Sequence, residues 1–326
     1  MKEPNYIETL KESWSLVWHH KSLWALGVLA VFVGQFGLGD FVGKIWLAGE
    51  KFVASENMMA GFYQWFYYFL EVSSNNFWVV AWLVFLVLLF GVFIIFVSIT
   101  AQGALVAAAV YGYKHKKLPH FAKFWNQGVK HFWKVLTLNI ITKLILGLLL
   151  FDLLYTWNYF YHLNSSWSEP ALILSLSLIL FLALLVSVWF IYALGYIVVD
   201  DKNLKEANKS AWLLFSKHVL VSLELSIVLL FLGLLLLGLI ALTAIIFYFP
   251  LIILSLFAGL FDSIIFISFG LGLGAVLLVV FIVLISGFFN AFTVASWMYM
   301  FSIMHSDGLQ SSIIKNLLKI FKLKRK

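Results

Sequence analysis

The stretch KEANKSAWLLFSKH, residues 205–218, is a polar and basic interruption between two of the most apolar runs in the chain. Leu204, Ala207, Ala211, Leu214 and Phe215 recur at helical spacing, which predicts one apolar face on a short helix beginning near Leu204. Its basic end, Lys217 and His218, leads straight into an apolar run, so the stretch reads as a short amphipathic helix set before a long hydrophobic one.

The rest of the sequence explains that setting. Of 326 residues, 63% are hydrophobic and only 11% are charged, with a mean hydropathy of +1.00. A soluble globule of that composition lacks the polar residues to cover its surface, so the bilayer is the expected solvent. Uncharged runs at Phe77–Tyr113, Leu225–Phe261 and Ser263–Met304 each exceed the roughly 20 residues a helix needs to cross a hydrocarbon core. Period-two alternation is absent and Leu, Ile and Ala dominate, which favours helices over barrel strands.

The expected fold is therefore all-α and polytopic, one integral-membrane domain over 1–326. Six spans are predicted, at 22–39, 78–110, 135–154, 171–199, 222–247 and 264–301. The first has the proportions of a signal peptide, but the chain after it stays apolar, so it is read as a retained span. The segment 248–262 is too apolar for an ordinary loop, and its Pro250 and Gly259 predict a broken or re-entrant segment.

Charge sets the orientation. The connections after spans two and four and the tail are rich in lysine. The other three connections carry only Lys44 and Lys51 against six carboxylates. The positive-inside rule then places both termini in the cytoplasm of a multi-pass inner-membrane protein. The aromatic stretches 61–71 and 155–167 fit an interfacial belt better than a ligand cage, because each adjoins a span end.

The short helix recurs. Ile7, Leu10, Trp14, Val17 and Trp18 share its apolar spacing, as do Leu118, Phe121, Trp125, Gly128 and Val129. A second signature pairs Trp14 with His20, Trp125 with His131, and Trp212 with His218, each pair six residues apart. In the third copy this signature sits one residue off the apolar match. Each copy precedes a pair of spans on the basic side, giving three units at about 5–113, 118–199 and 203–301. The ends of spans two and six, QGALVAAAVY (102–111) and NAFTVASWMY (290–299), match in kind, and their small residues permit close helix packing. A basic amphipathic helix at 308–326, with Lys315, Lys319, Lys322 and Lys326 in one stripe, is expected on the anionic inner leaflet.

The short helices are thus expected to lie at the membrane surface, with their tryptophans and histidines among the headgroups. The histidines occur singly and lack a carboxylate at ligand spacing, which favours this role over metal binding. Residues 198–225, through Asp200, Asp201, Leu204, Ala207, Ser210, Trp212, Lys217 and His218, resemble the integral-membrane domain attached to some bacterial glycerophosphodiester phosphodiesterases and related stand-alone six-span proteins. The resemblance implies a membrane module, a scaffold or an access path for lipid-derived molecules. It does not imply hydrolysis, because the soluble catalytic barrel of those enzymes is absent from these residues.

Apart from Asp152, which is counted with the outer connection at the end of span three, two charges fall inside spans, Lys143 and Glu224. Such charges are costly in a bilayer, and with Asn139 they form the candidate polar cluster between units two and three, read either as a structural ion pair or as a coupling site. No catalytic constellation, cofactor or metal is expected, and with no cysteine thiolate chemistry is excluded. The net charge of +7 points to anionic lipid rather than nucleic acid. The functional expectation is a non-enzymatic module that organises lipids or a membrane complex with a partner protein. The alternative is a small-solute or lipid transporter.

Overall fold

The computed structural model describes residues 6–31, 77–115, 118–162, 168–259 and 264–307. Nine helices occupy them: α1 (Tyr6–His19), α2 (Lys21–Val31), α3 (Phe77–His115), α4 (Phe121–Lys130), α5 (Phe132–His162), α6 (Ser168–Val199), α7 (Leu204–Lys217), α8 (Val219–Gly259) and α9 (Ile264–Asp307). No strand occurs among the described residues.

Five helices, α3, α5, α6, α8 and α9, are long and apolar enough to cross a membrane. This makes the chain an all-helical, multi-pass membrane protein. Helix is the natural form for such runs, because it satisfies every backbone group within the segment where water is absent. Of the predicted first span, residues 22–31 are helical and 32–39 lie outside the described residues, as do the aromatic stretch 61–71 and the tail with Lys315, Lys319, Lys322 and Lys326.

The expected break within 248–262 does not occur in the described part: α8 continues through Pro250 to Gly259. Proline removes one backbone hydrogen bond, whereas leaving the helix in an apolar setting strands several backbone groups at once.

Packing is concentrated at one end. On α3, residues 98–110 are all buried, so the helix is enclosed on every side there, whereas most of Phe77–Phe93 is exposed. The same core takes in α9 from Ala291 to Met304, α6 from Val188 to Val198 and α8 from Val221 to Leu229. A separate small cluster, Leu153, Ile179 and Ala183, joins α5 to α6 farther along.

Contacts between helices follow one scheme. Sequential hairpins pair α2 with α3, α5 with α6, and α8 with α9. The second helix of each pair also carries a short helix: α3 carries α4, α6 carries α7, and α9 carries α1. The three carriers, α3, α6 and α9, touch one another at the centre.

Backbone approach is closest where glycine permits it. A Cβ on Gly128 of α4 would fall on the Thr100 carbonyl oxygen of α3, and one on Gly27 of α2 would fall on the Gly287 carbonyl oxygen of α9. Tyr111 stacks edge-on against Phe124 with ring centroids 5.8 Å apart, so α4 runs antiparallel along the end of α3.

The short helices are therefore not simply surface-bound, as their amphipathicity implied. Each buries a face against protein: Thr9, Ser13 and Val17 on α1, Phe124 and Gly128 on α4, and Ala207, Ala211, Leu214 and Phe215 on α7. On α1 the predicted apolar stripe points mostly the other way, with Ile7 79% and Trp18 54% exposed. Small side chains face the protein because they let backbones approach. In lipid there is no hydrophobic penalty for large ones facing out.

Candidate functional site

The three histidines of the Trp/His signature occupy equivalent places. His20, His131 and His218 each form the single-residue step between a short amphipathic helix and the apolar helix after it. Their carbonyl oxygens accept from the amides of Leu23 at 2.9 Å, Val135 at 3.0 Å and Ser222 at 3.0 Å, opening the next helix. Two rings also cap the short helix, His20 Nδ1 donating to the Leu16 carbonyl at 2.9 Å and His131 Nδ1 to that of Gln127 at 2.8 Å. Counted from the tryptophan, the positions one before and three after are buried in all three helices: Ser13 and Val17, Phe124 and Gly128, Ala211 and Phe215. Burial thus follows the Trp/His register, while the competing apolar match runs through exposed residues on α1.

His131 does more than cap. It is only 3% exposed, and its Nε2 lies 3.0 Å from Asp201 Oδ1 in the α6–α7 connection. Lys130 Nζ donates to Asp201 Oδ2 at 2.5 Å, and Lys134 Nζ to Asp201 Oδ1 at 3.1 Å. Three donors from the α4–α5 junction therefore converge on one carboxylate. The spacing argument, which looked for a carboxylate near each histidine in sequence, missed this pairing across 70 positions.

The backbone presents that carboxylate by an uncommon route. Asp201 has φ of +52°, in the left-handed region that residues with a Cβ seldom adopt. The Lys202 amide donates to the Tyr196 carbonyl at 3.3 Å, closing the turn behind it, and Lys202 Nζ lies 4.2 Å from the Tyr196 ring centroid. Lys130 first, then Lys134 and His131, hold the Asp201 carboxyl well below the usual carboxylate range. Its neighbour Asp200 faces other groups, Lys202 Nζ at 3.7 Å and His305 Nε2 at 3.9 Å.

A second polar group lies inside the packed end. The Tyr6 hydroxyl of α1 donates to the Glu224 carboxylate of α8. Close by, Tyr192 Oη and Ser222 Oγ share a hydrogen bond of 2.7 Å. Burial, and then the carboxylate beside it, push the Tyr6 phenol far above its ordinary value. Tyr6 lies 218 positions from Glu224, and sequence spacing carries no trace of the pairing.

Of the candidate trio Asn139, Lys143 and Glu224, the first and last bond to different helices, Asn139 to α3 and Glu224 to α1. Asn139 is 5% exposed and donates to Gln102 Oε1 at 2.9 Å, joining α5 to α3. Lys143 is exposed, one turn farther along α5. Glu224 sits on α8, a helix that does not pack lengthwise on α5. At the position of Gln102 in the matching span end, Asn290 is 3% exposed and donates to the Gly27 carbonyl at 3.2 Å.

Tryptophans ring this end of the molecule. Trp14, Trp133 and Trp212 are 49%, 75% and 57% exposed, and Trp14 stacks on Trp18 with centroids 5.9 Å apart. Among the described residues no group of three or more His, Asp or Glu is placed to hold a metal ion. What the arrangement offers chemically is a set of basic N–H donors beside exposed indoles, together with buried amide and phenol groups that tie helices together. Compared with protein-family models, curated proteins and solved structures, the chain matches none of them.

Proposed function

We propose that this chain is a non-enzymatic membrane module that organises lipids, built as three units of a short helix followed by a transmembrane hairpin. In this reading there are six spans in the inner membrane, and both termini lie on the lysine-rich cytoplasmic side. The likeness of residues 198–225 to the membrane domain of some glycerophosphodiester phosphodiesterases supports the membrane-module part of the proposal, through those residues alone. The cyclic scheme, in which α3 carries α4, α6 carries α7 and α9 carries α1, supports the three units.

One observation carries the lipid reading. The helices share a core at the short-helix end, while farther out α5 and α6 continue in a cluster that, among the described residues, includes none from α8 or α9. The sides facing away from that cluster are large and apolar: Leu148 and Phe151 on α5, Leu174 on α6 and Leu234 on α8 are each more than half exposed. Such surfaces accommodate acyl chains, and the outer halves of α8 and α9 carry no charge to line a polar path.

Native mass spectrometry of the full chain purified in mild detergent tests this. Lipid retained at a fixed stoichiometry is the expected result. Empty protein, or protein that consistently keeps a second polypeptide and no lipid, refutes the lipid reading. Orientation has its own check in a cysteine-free background: Lys205→Cys should be protected from a membrane-impermeant thiol reagent in intact cells, and labelling from outside overturns the topology.

A further inference from the structure

The α4–α5 junction is an anion cradle. Lys130 Nζ reaches Asp201 Oδ2 at 2.5 Å, and Lys134 Nζ and His131 Nε2 reach Oδ1 at 3.1 and 3.0 Å, so the group now held by all three is the chain's own Asp201 carboxylate. The cradle is built rather than incidental: His131 is 3% exposed and its other ring nitrogen is fixed by the Gln127 carbonyl at 2.8 Å. Its occupant is held less firmly by its own backbone. Asp201 has a half-exposed side chain and a φ of +52°, a conformation that costs a residue with a Cβ and that these contacts help to hold.

The depth of the cradle identifies its second occupant. Trp133, 75% exposed, lies between Lys130 and Lys134 in sequence, and at the other end of the same helix Tyr155 is 63% exposed. The helical rise puts about 33 Å between the two aromatics, close to the hydrocarbon thickness of roughly 30 Å that interfacial aromatics bracket. The lysines beside Trp133 therefore stand at headgroup level, where Lys130 has two N–H donors beyond the one bound to Asp201 and Lys134, which also reaches the Asp201 carbonyl oxygen at 3.3 Å, has one.

We propose that Lys130, His131 and Lys134 form a headgroup site for an anionic phospholipid, with Asp201 as a tethered competitor for the same donors. This rests on the lipid-organising reading above and names its lipid class. When a phosphodiester takes the cradle, its oxygens accept from the two ammonium groups and from His131 Nε2, and the Asp201 carboxylate moves to water. The α6–α7 connection is then released from the α4–α5 junction, so headgroup occupancy reports on the seating of α7.

The test is a native mass-spectrometric titration of the full chain in detergent with dioleoylphosphatidylglycerol and dioleoylphosphatidylcholine. Wild type should prefer the anionic lipid, and Lys130→Gln with Lys134→Gln should weaken that preference by about tenfold, the scale of one or two charge-assisted contacts. Asp201→Asn should strengthen phosphatidylglycerol binding severalfold. Asp200→Asn, the same charge change beside the cradle, should leave it nearly unchanged.

Equal effects of the two aspartate changes would reduce the site to general surface charge and overturn the proposal. So would an unchanged preference in the lysine variant, or displacement of the lipid by inorganic phosphate. If Asp201→Asn does not fold, Lys130→Gln alone carries the test, because that side chain is 63% exposed and its loss leaves the His131–Asp201 contact in place. Retention of both lipids without preference sinks the headgroup site and leaves the lipid module standing. Retention of neither sinks both.

Discussion

The closest contact in the short-helix layer is also the one whose disruption is easiest to grade. In Gly128→Ala the new Cβ falls on the Thr100 carbonyl oxygen and 3.0 Å from the Ala104 nitrogen, both backbone atoms of α3 that no rotamer change can move. Relieving the overlap with the Thr100 carbonyl oxygen makes α4 retreat by about 1 Å or more, and a gap of that size forfeits about half of the dispersion energy along the shared face. Overpacking of this kind costs about 1–3 kcal/mol, against a helix-propensity gain of up to about 1 kcal/mol for replacing glycine. Gly103→Ala should cost less, since its Cβ meets the Gly128 Cα at 3.1 Å and nothing else within 3.6 Å. Gly147→Ala has no neighbour within 4 Å and keeps the propensity gain alone. Thermal unfolding of the purified variants in one detergent, followed by circular dichroism, should rank Gly147→Ala at or above wild type, Gly103→Ala below it and Gly128→Ala lowest. If Gly128→Ala melts with Gly147→Ala, α4 is not packed on α3 and the short-helix layer described here is wrong.

Two further outcomes are expected. Asn139→Leu or Gln102→Leu alone should destabilise the protein by about 1–3 kcal/mol, by leaving a buried amide short of a partner. The double variant should cost less than the sum, and strict additivity in the thermal unfolding of the cycle would argue against the α3–α5 amide bond. Asp201 has its carboxyl lowered by Lys130, Lys134 and His131, so its stabilisation is complete above the unfolded carboxylate value and lost as pH falls through the lower folded one. The melting gap between wild type and Asp201→Asn should therefore be flat above about pH 5 and narrow only below about pH 4. A gap that instead closes between about pH 6 and pH 8 would assign the titration to a histidine.

The long helices were legible because an uncharged run such as Phe77–Tyr113 has one stable form in lipid. The steps between helices were legible too, since Trp/His pairs mark them at His20, His131 and His218. The buried face of α7 was legible as well, through Ala207, Ala211, Leu214 and Phe215, but that of α1 was not. Hydrophobic periodicity assigns large apolar residues to the inside, but Trp18 is 54% exposed while Thr9 and Ser13 are 1% and 2% exposed. In a membrane protein, burial follows size and close approach rather than apolarity, so the usual signal points the wrong way. The site was legible in pieces only. Glu224 and His131 stood out, one as a charge within a span and the other as a repeated element, but their partners Tyr6 and Asp201 come from distant parts of the chain brought together by packing. Pro250 within α8 misled for a different reason: the cost of one missing amide is smaller than the cost of ending the helix.

The docking of α1 and α2 on α9 also bears on how the protein is made. Gly27 lies against Gly287, and the Gly27 carbonyl accepts from Asn290, 263 positions later in the chain. Helices α1 and α2, made long before α9, thus wait for that span before their glycine and Thr9–Ser13 surfaces are covered. Until α9 inserts, those surfaces remain open to lipid, to a membrane chaperone or to a quality-control protease. Closing the ring is then the step that commits the chain to its native packing, so a pause in synthesis just ahead of α9 should be more damaging than one within α3.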